Sequence, residues 1–297
     1  MIYVIKKIVG YALGTDIAGR TLAVRPDDTF IVSYPRSGNT WTRFLIANLL
    51  HANTSITFAN IEGFIPDAEA QSSRYLKRIH SPRVIKSHQY FDHRYRKVIY
   101  IVRDPRDVVV SYYNFARKYR SVQDGSSLEG FVSDFVRGRL SSASWGTWSE
   151  NVGTWTAARQ GQTTFLLLRY EDLIADPTVE LKRVAHFLSI DATPERLRDV
   201  VIRSSADRMR ELEQSQSNDW VSTKNKRTDI PFVGAASSGN WKSKLTDRSV
   251  SEIESAWGSL MVHLGYELAT AAASLWNKAD VIQTEPVQGV NLYQHRS

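Results

Sequence analysis

Residues Thr29 to Trp41 read T-F-I-V-S-Y-P-R-S-G-N-T-W, a short apolar run followed by a break at Tyr34-Pro35 and a polar turn. The apolar run predicts a buried strand. Beyond the turn, large apolar side chains recur at helical spacing from Trp41 to Leu49, which predicts a helix with one buried face. The sequence therefore begins its ordered part with a strand, a turn and a helix.

The turn of this unit is made of small or polar residues, namely Arg36, Ser37, Gly38, Asn39 and Thr40. The first N–H groups of the following helix have no helical partner, and the helix dipole makes their position attractive to an anion. We therefore expect a phosphate-binding turn. The common nucleotide-hydrolase loop needs two glycines and a Lys, whereas this turn has one Gly and no Lys. An ordinary joint capped by Ser or Asn is the alternative.

The rest of the chain alternates predicted strands and helices. One strand is predicted to end near His88, and two others are predicted to cover 97–103 and 164–170. Helices are predicted to begin at Asp104-Pro105 and Asp176-Pro177, and further helices to cover 131–140, 148–159 and 250–264. This order is typical of an α/β fold, with a parallel sheet and helices on both faces. Ligands of such sheets bind at the carboxyl ends of the strands. The polar residues that end or follow the strands are Arg36, His88, Arg103 and Tyr170.

Composition limits the class of protein. The chain has 297 residues, a net charge of +7 and no Cys. The positive charge favours anionic ligands such as nucleotides, nucleic acid or acidic lipids. Without Cys there is neither a disulfide framework nor a thiolate metal site, which fits a cytoplasmic protein. No run approaches the roughly 18 apolar residues of a membrane span, and the N-terminal segment does not resemble a signal peptide.

Five motifs occur in one order along the chain. They are Y-P-R-S-G-N-T-W, K-S-H, V-R-D-P-R-D-V-V-V-S-Y-Y-N-F, R-Y-E-D-L and G-N-W-K. The set resembles the soluble sulfotransferases, which use 3'-phosphoadenosine 5'-phosphosulfate (PAPS) and release adenosine 3',5'-bisphosphate (PAP). The resemblance implies a P-loop-like α/β sheet and one domain over residues 1–297. The motifs span about 29–246, and 1–28 and 266–297 are terminal segments. It also implies a small-molecule hydroxyl or phenol as acceptor, and no metal.

The resemblance assigns the donor site. It places the 5'-phosphosulfate in the loop Arg36, Ser37, Gly38, Asn39 and Thr40, and the adenine on Trp41. Arg103 and Ser111 are expected to bind the 3'-phosphate, and Tyr170 to hydrogen-bond at the nucleotide or the reacting centre. Each residue has a structural alternative: Trp41 as plain core, Arg103 in an ion pair with Asp107, and Tyr170 as a strand end followed by a turn.

The resemblance also assigns the catalytic groups. Lys86 and His88 match the K-T-H segment of the family, with His88 as the general base. Sulfuryl transfer resembles phosphoryl transfer, in which charge builds on the leaving oxygen, so Arg36 and Lys86 suit that position. An imidazole suits the proton of an attacking hydroxyl. The alternative for His88 is a surface or satisfied core histidine.

Four departures from the family pattern stand out. Arg36 and Asn39 replace a common Lys and Thr of the loop. Gly234 and Ala235 stand where an Arg-Lys pair is expected at the 3'-phosphate, and Lys224, Lys226 and Arg227 are candidate replacements. Ala206 stands where a Phe covers the second face of the adenine. The dimer motif of the family is only half present, with Lys242 and Thr246, which leaves the oligomeric state open.

Two other functions compete with this reading. A P-loop-like small-molecule kinase would need a Lys that the turn lacks. A non-catalytic binder of nucleic acid would need a basic stripe, but the Lys and Arg residues are scattered among acidic ones. Segments 51–82, 112–150 and 214–240 are expected to form the acceptor pocket, and the last is expected to be either a lid or a disordered segment. Their aromatic residues, each with a core alternative, include Phe64, Tyr112, Tyr113, Trp145, Trp148 and Trp220.

Overall fold

The computed structural model describes residues 16–270 except 217, 218, 221 and 235. The predictions for the first 15 residues and for most of the C-terminal segment therefore lie outside the described residues. Within the described part, strands and helices alternate along the chain. The strands are β1 (Thr29–Ser33), β2 (Val84–Ser87), β3 (Lys97–Val102) and β4 (Phe165–Arg169).

The helices of the described part differ greatly in length. They are α1 (Asn39–Leu50), α2 (Ile61–Phe64), α3 (Ser73–Arg78), α4 (Pro105–Lys118), α5 (Leu128–Val136), α6 (Trp148–Arg159), α7 (Tyr170–Ala175), α8 (Pro177–Phe187), α9 (Pro194–Arg203), α10 (Ala206–Gln216), α11 (Trp241–Lys244) and α12 (Asp247–His263).

The four strands form one parallel sheet in the order β2-β1-β3-β4. The predicted α/β fold is thus confirmed. β1 lies between β2 and β3. After β1 the chain forms β2 at one edge of the sheet, and after β3 it forms β4 at the other edge. A crevice opens at such a switch of direction, at the carboxyl ends of the strands. The residues that follow β1 and β3 are therefore brought together.

Alternate residues of the strands face opposite sides of the sheet, as strand geometry requires. Phe30 and Tyr100 belong to a core on one face, with helices α4, α5, α6 and α12. Ile31 and Ile99 belong to a core on the other face, with α1, α8 and α9. Both faces are covered, which explains why the strands read as continuous apolar runs.

The Asp-Pro signals in the sequence locate the starts of two helices, α4 and α8. Asp104 and Asp176 accept hydrogen bonds from the first-turn N–H groups of α4 and α8, each followed by Pro as predicted. Two predicted starts were wrong by a few residues. α5 begins at Leu128 because Ser127 caps it, and α12 begins at Asp247 because Thr246 caps it.

Candidate active site

The turn after β1 has an unusual backbone. Arg36 has φ 70° and Gly38 has φ 96°, both in the left-handed region. Gly38 precedes α1 without a side-chain cap, so the first N–H groups of α1 are not occupied by a capping oxygen. A Cβ on Gly38 would lie 2.4 Å from Cδ2 of Tyr170, so the close contact with that ring also requires glycine. The geometry is that of an anion-binding helix start.

Two polar side chains of the turn have distinct positions. Asn39 donates from Nδ2 to Ser33 Oγ at 3.1 Å, which ties the helix start to the end of β1. Its side chain is therefore turned toward the strand. Ser37 is buried, and its hydroxyl has no hydrogen-bond partner among the described residues. A buried hydroxyl without a partner is costly, so Ser37 is one of the few unsatisfied polar groups of the turn.

Two guanidinium groups meet beside Ser111 of α4. Arg36 donates from Nε to Ser111 Oγ at 3.1 Å and from Nη2 to the Phe232 carbonyl at 3.3 Å. Arg103 donates to the carbonyls of Arg36 and Ser237 at 3.3 and 3.2 Å, and its buried Nε has no partner among the described residues. The alternative for Arg103, an ion pair with Asp107, does not form. Neither guanidinium has a carboxylate partner among the described residues.

The pKa of Arg36 reflects this environment. Burial is the main cause that lowers the pKa of Arg36 to about 10, and the nearby charge of Arg103 adds to it. Carbonyl oxygens and a hydroxyl satisfy hydrogen bonds but do not neutralise two adjacent cations. A dianionic phosphate between Arg36 and Arg103 would do so. The residues present therefore fit a phosphorylated ligand.

Trp41 and Tyr170 form one wall of the same cavity. The Trp41 indole donates to the Ser204 carbonyl at 2.9 Å, which fixes the plane of its ring. Tyr170 begins α7, so Tyr-Glu-Asp is helical and the alternative of a strand end followed by a turn was wrong. The guanidinium carbon of Arg103 lies 4.3 Å from the centroid of the Tyr170 ring. Ala206 lines the cavity near Trp41 without an aromatic ring.

His88 follows β2 and is held by the end of β1. Its Nδ1 lies 2.8 Å from the carbonyl oxygen of Ser33. A carbonyl only accepts, so Nδ1 carries the proton and Nε2 carries the lone pair. Burial, followed by the charge of Lys86, lowers the pKa of His88 to about 3. The imidazole is therefore neutral at pH 7, and it lines the cavity.

Lys86 is paired with two carboxylates that the sequence reasoning missed. Its Nζ lies 2.9 Å from Asp67 and 3.2 Å from Glu69. Burial alone would lower the pKa of Lys86, but the two carboxylates outweigh it and raise the pKa. The segment around Asp67 runs parallel to β2 as a short bridge. The alternation D-A-E before β2 was the available signal, because residues two apart in an extended segment share a face.

Residues 222–234, here called the strap, lie along the cavity opposite the turn. The Lys118 ammonium donates to the carbonyls of Arg227 and Ile230 at 2.8 and 2.6 Å and to Glu213 at 3.2 Å. Glu213 accepts the backbone N–H groups of Phe232 and Val233 at 2.6 and 2.8 Å. This buried ion pair fixes the strap where Phe232 covers Arg36.

One cavity of about 530 Å³ joins these groups. The predicted site residues that line it are Arg36, Gly38, Asn39, Thr40, Trp41, Lys86, His88, Arg103, Ser111 and Tyr170, whereas Ser37 lies behind the wall. Of the predicted acceptor-site aromatics, Tyr112, Trp145 and Trp220 line the cavity. Phe64, Tyr113 and Trp148 do not, and Trp148 is fully buried in the core with its indole on the Arg103 carbonyl.

The described residues contain neither a candidate metal-binding cluster nor a candidate membrane-spanning helix. Between residues 16 and 270, apart from the four gaps, no group of three or more acidic or histidine side chains is arranged to ligate a metal ion. In that same part of the chain, no helix is long and apolar enough to cross a membrane.

A family profile described as "Sulfotransferase domain" matches residues 26–265. The chain therefore belongs to the sulfotransferase family, and it is an enzyme that transfers a sulfuryl group from PAPS, as the motifs predicted. It is 28% identical to Sulfotransferase 1 family member D1 of Mus musculus over 77% of this chain and 82% of that protein. It is 27% identical to Sulfotransferase 1A1 of Mus musculus over 80% of this chain and 85% of that protein.

Solved structures show the same fold at lower identity. A mouse sulfotransferase SULT7A1 complexed with PAP matches with a TM-score of 0.66 and 20% identity, over 89% of this chain and 92% of that chain. A retinol dehydratase in a complex with retinol and PAP matches with a TM-score of 0.66 and 20% identity, over 82% of this chain and 84% of that chain.

Proposed function

We propose that the enzyme transfers the sulfuryl group to a hydroxyl of a small molecule, with His88 as the general base. The observation that carries this proposal is the orientation of His88, whose Nδ1 faces the Ser33 carbonyl at 2.8 Å and whose Nε2 lone pair is left for a substrate. Proton transfer to Nε2 would accompany formation of the bond between the acceptor oxygen and sulfur. The bond between sulfur and the 5'-phosphate oxygen of PAPS breaks in the same step.

The donor is proposed to lie with its 5' end at the turn and its 3'-phosphate between Arg103 and Ser111. The N–H groups at the start of α1, which no side chain caps, support the first position. Arg103, which has only carbonyl partners and a buried Nε without a partner among the described residues, supports the second. The adenine is proposed to stack on Trp41, whose indole is fixed by Ser204. SULT7A1 and the retinol dehydratase are both described as bound to PAP.

Charge on the leaving 5'-phosphate oxygen must be stabilised as the sulfuryl group departs. Arg36 is proposed to do so, since it lies in the turn itself and carries no carboxylate partner among the described residues. Lys86 is proposed to contribute a second positive charge from β2, with Asp67 and Glu69 fixing its position. The negative charges of PAPS would also raise the pKa of His88 from its value in the free protein, which makes the imidazole a stronger base when the donor is bound.

The acceptor is proposed to be a small apolar or aromatic molecule with a hydroxyl group. The wall of the cavity that His88 lines also contains Tyr112, Trp145 and Trp220, which suit such a ligand. The retinol dehydratase structures are described with retinol and with androsterone, both small alcohols. A cytoplasmic location stays a prediction, supported by the absence of Cys from the sequence.

The test uses the variant His88→Asn and a panel of phenols and alcohols with PAPS. Loss of a general base lowers turnover by roughly 10²–10⁴-fold, while the affinity for PAP measured by calorimetry should stay unchanged. The control is His263→Asn, because His263 contacts Gln160 on the surface and does not line the cavity. Turnover of His88→Asn within twofold of the wild type would contradict the proposed role of His88.

A further inference from the structure

The 3'-phosphate region of this chain lacks two cations that the family pattern leads one to expect. Gly234 has no side chain there, and a Cβ added to it would meet nothing within 4 Å. The upstream candidates do not replace the pair. Arg227 is bound to Asp124 and Asp229 at 2.5 and 2.6 Å, and Lys226 lies over the ring of Tyr119 at 4.7 Å. Neither they nor Lys224 lines the cavity, so this earlier hypothesis was wrong.

Lys244, at the end of α11, occupies a different position. It lines the same cavity as Arg103 and Ser111. Its side chain is exposed, and within the described part of the chain it makes no hydrogen bond, ion pair or ring contact. The neighbouring Lys242, by contrast, lies 5.8 Å from the ring of Trp241 and does not line the cavity. Of these two lysines, only Lys244 faces the nucleotide side.

The position of α11 is set by α4, the helix that carries Ser111. Asp107 of α4 accepts the backbone N–H of Gly239 at 2.6 Å and that of Trp241 at 3.0 Å. The guanidinium of Arg106 lies 3.9 Å from the centroid of the Trp241 ring. These contacts attach the short helix to the start of α4 by both its backbone and its first side chain. Lys244 is therefore presented by a fixed segment.

The charges at this end of the cavity do not balance without a ligand. Arg103 and Lys244 are positive, and Asp107 is a carboxylate that lines the same cavity. Both oxygens of Asp107 already accept backbone N–H groups of the α11 segment. Two positive charges against one negative charge leave a surplus positive charge, which favours an anionic phosphate here.

We propose that Lys244 binds the 3'-phosphate of the donor and thereby takes over the charge that Gly234 and Ala235 no longer supply. This inference rests on the donor position given under the proposed function. Lys244 is a specificity residue in this role: it distinguishes nucleotides with a 3'-phosphate from those without one. The cation reaches the phosphate from α11, beside α4, rather than from the strap.

The experiment measures binding of PAP and of adenosine 5'-monophosphate, which lacks the 3'-phosphate, by calorimetry at fixed ionic strength. Lys244→Ala should weaken PAP binding about tenfold, the effect of one charge-assisted contact, and leave adenosine 5'-monophosphate binding unchanged. The separate variant Lys244→Arg, which keeps the positive charge, should keep most of the wild-type affinity for PAP. Lys242→Ala is the matched control, with the same charge change two residues away and no expected effect on either nucleotide.

The possible results separate this inference from the proposal on which it rests. Wild-type protein that binds both nucleotides equally would overturn the proposed donor position and the role of Lys244 together. Wild-type protein that prefers PAP, combined with a Lys244→Ala variant that keeps the full preference, would overturn only the role of Lys244. If Lys244→Ala weakened the binding of both nucleotides equally, the proposed role of Lys244 would also be overturned, because the contact would then not be specific to the 3'-phosphate.

Discussion

At the scale of single residues, the backbone of the turn is the most demanding feature. Arg36 occupies the left-handed region although it has a side chain, and such residues tend to occur at ligand-binding positions. The strain at Arg36 is accompanied by hydrogen bonds from its guanidinium to Ser111 and to the strap. Gly38 is constrained twice, by its φ of 96° and by the ring of Tyr170.

We predict that Gly38→Ala lowers both stability and donor binding. The added Cβ would force Tyr170 away, and the left-handed backbone would be strained, so the free energy of unfolding should fall by about 1–3 kcal/mol. The affinity for PAP should fall at least tenfold in calorimetry. Gly63→Ala is the control, because a Cβ there meets nothing within 4 Å and its φ is not left-handed. Equal effects of the two variants would contradict this reading of the turn.

The lowered pKa of His88 predicts a specific pH dependence of stability. In the unfolded chain, His88 takes up a proton below its ordinary pKa of roughly 6.5, whereas in the folded protein it stays neutral down to about pH 3. The unfolded state therefore binds more protons in this interval, and the contribution of His88 makes stability fall as the pH drops from 6.5 toward 3.

This contribution is measured by urea unfolding at pH 7 and pH 4.5. His88→Asn removes the titrating group, so we expect the variant to lose less stability between these pH values than the wild type. Burial is the main cause of the lowered pKa of His88; Lys86 and Arg36 also disfavour the imidazolium, whereas Asp67 favours it. An identical pH dependence of both proteins would show that His88 titrates normally in the fold.

At the scale of elements, the strap depends on two helices, α10 just before it in sequence and the distant α4. Lys118 ends α4, Glu213 lies in α10, and together they bind backbone groups of the strap. The strap thus receives its hydrogen bonds from the side chains of an ion pair. Phe232 of the strap covers Arg36 on one side, with Phe115 at the same distance of 4.9 Å from its guanidinium carbon. The ion pair therefore acts on Arg36 through the strap.

We predict that Glu213→Gln loosens the strap. The variant leaves Lys118 without its buried counter-charge and turns an amide N–H₂ toward one of two backbone donors. The free energy of unfolding should therefore fall by about 3–5 kcal/mol. Hydrogen exchange at the amides of Phe232 and Val233 should become faster than at β1 or β3. The KM for PAPS should rise.

The matched control for this variant is Glu211→Gln in the same helix. Glu211 forms an exposed ion pair with Arg208, and such pairs contribute only about 0–1 kcal/mol. If exchange at Phe232 and Val233 stayed at its wild-type rate in Glu213→Gln, the strap would be held by contacts other than this ion pair.

At the scale of the whole molecule, the donor site draws on distant parts of the chain. The turn follows β1, Arg103 follows β3, Ser111 belongs to α4 and Tyr170 follows β4. A nucleotide bound at the proposed donor site would therefore link the carboxyl ends of the central strands. The two cores on opposite faces of the sheet support this edge from below. The single-domain organisation over residues 1–297 stays a prediction.

We predict that PAP stabilises the described fold as one unit. A ligand that binds only the folded state at 100 times its Kd raises the free energy of unfolding by about 2.7 kcal/mol. Thermal or urea unfolding with and without PAP measures this shift, and one cooperative transition should move as a whole. A shift seen only in probes of the strap, with the sheet unaffected, would contradict a site built on the strand ends.

The sequence by itself determined the strands, the parallel sheet and the family. Local signals were sufficient for these, because apolar runs define buried strands, Asp-Pro pairs define helix starts, and the Y-P-R-S-G-N-T-W turn carries its own anion-binding geometry. The order of the site residues along the chain followed from the strand ends. That is why nearly every predicted residue lines one cavity.

Only the tertiary structure decided which charges are compensated. Lys86 meets Asp67 and Glu69, and Arg227 is neutralised by Asp124 and Asp229. Lys244 stays uncompensated beside Arg103 in the described part of the chain. The physical reason is that an ion pair depends on the distance between side chains that are remote in sequence, and no local pattern encodes that distance. The sequence supplies the charges, and the fold determines which of them remain to bind an anion.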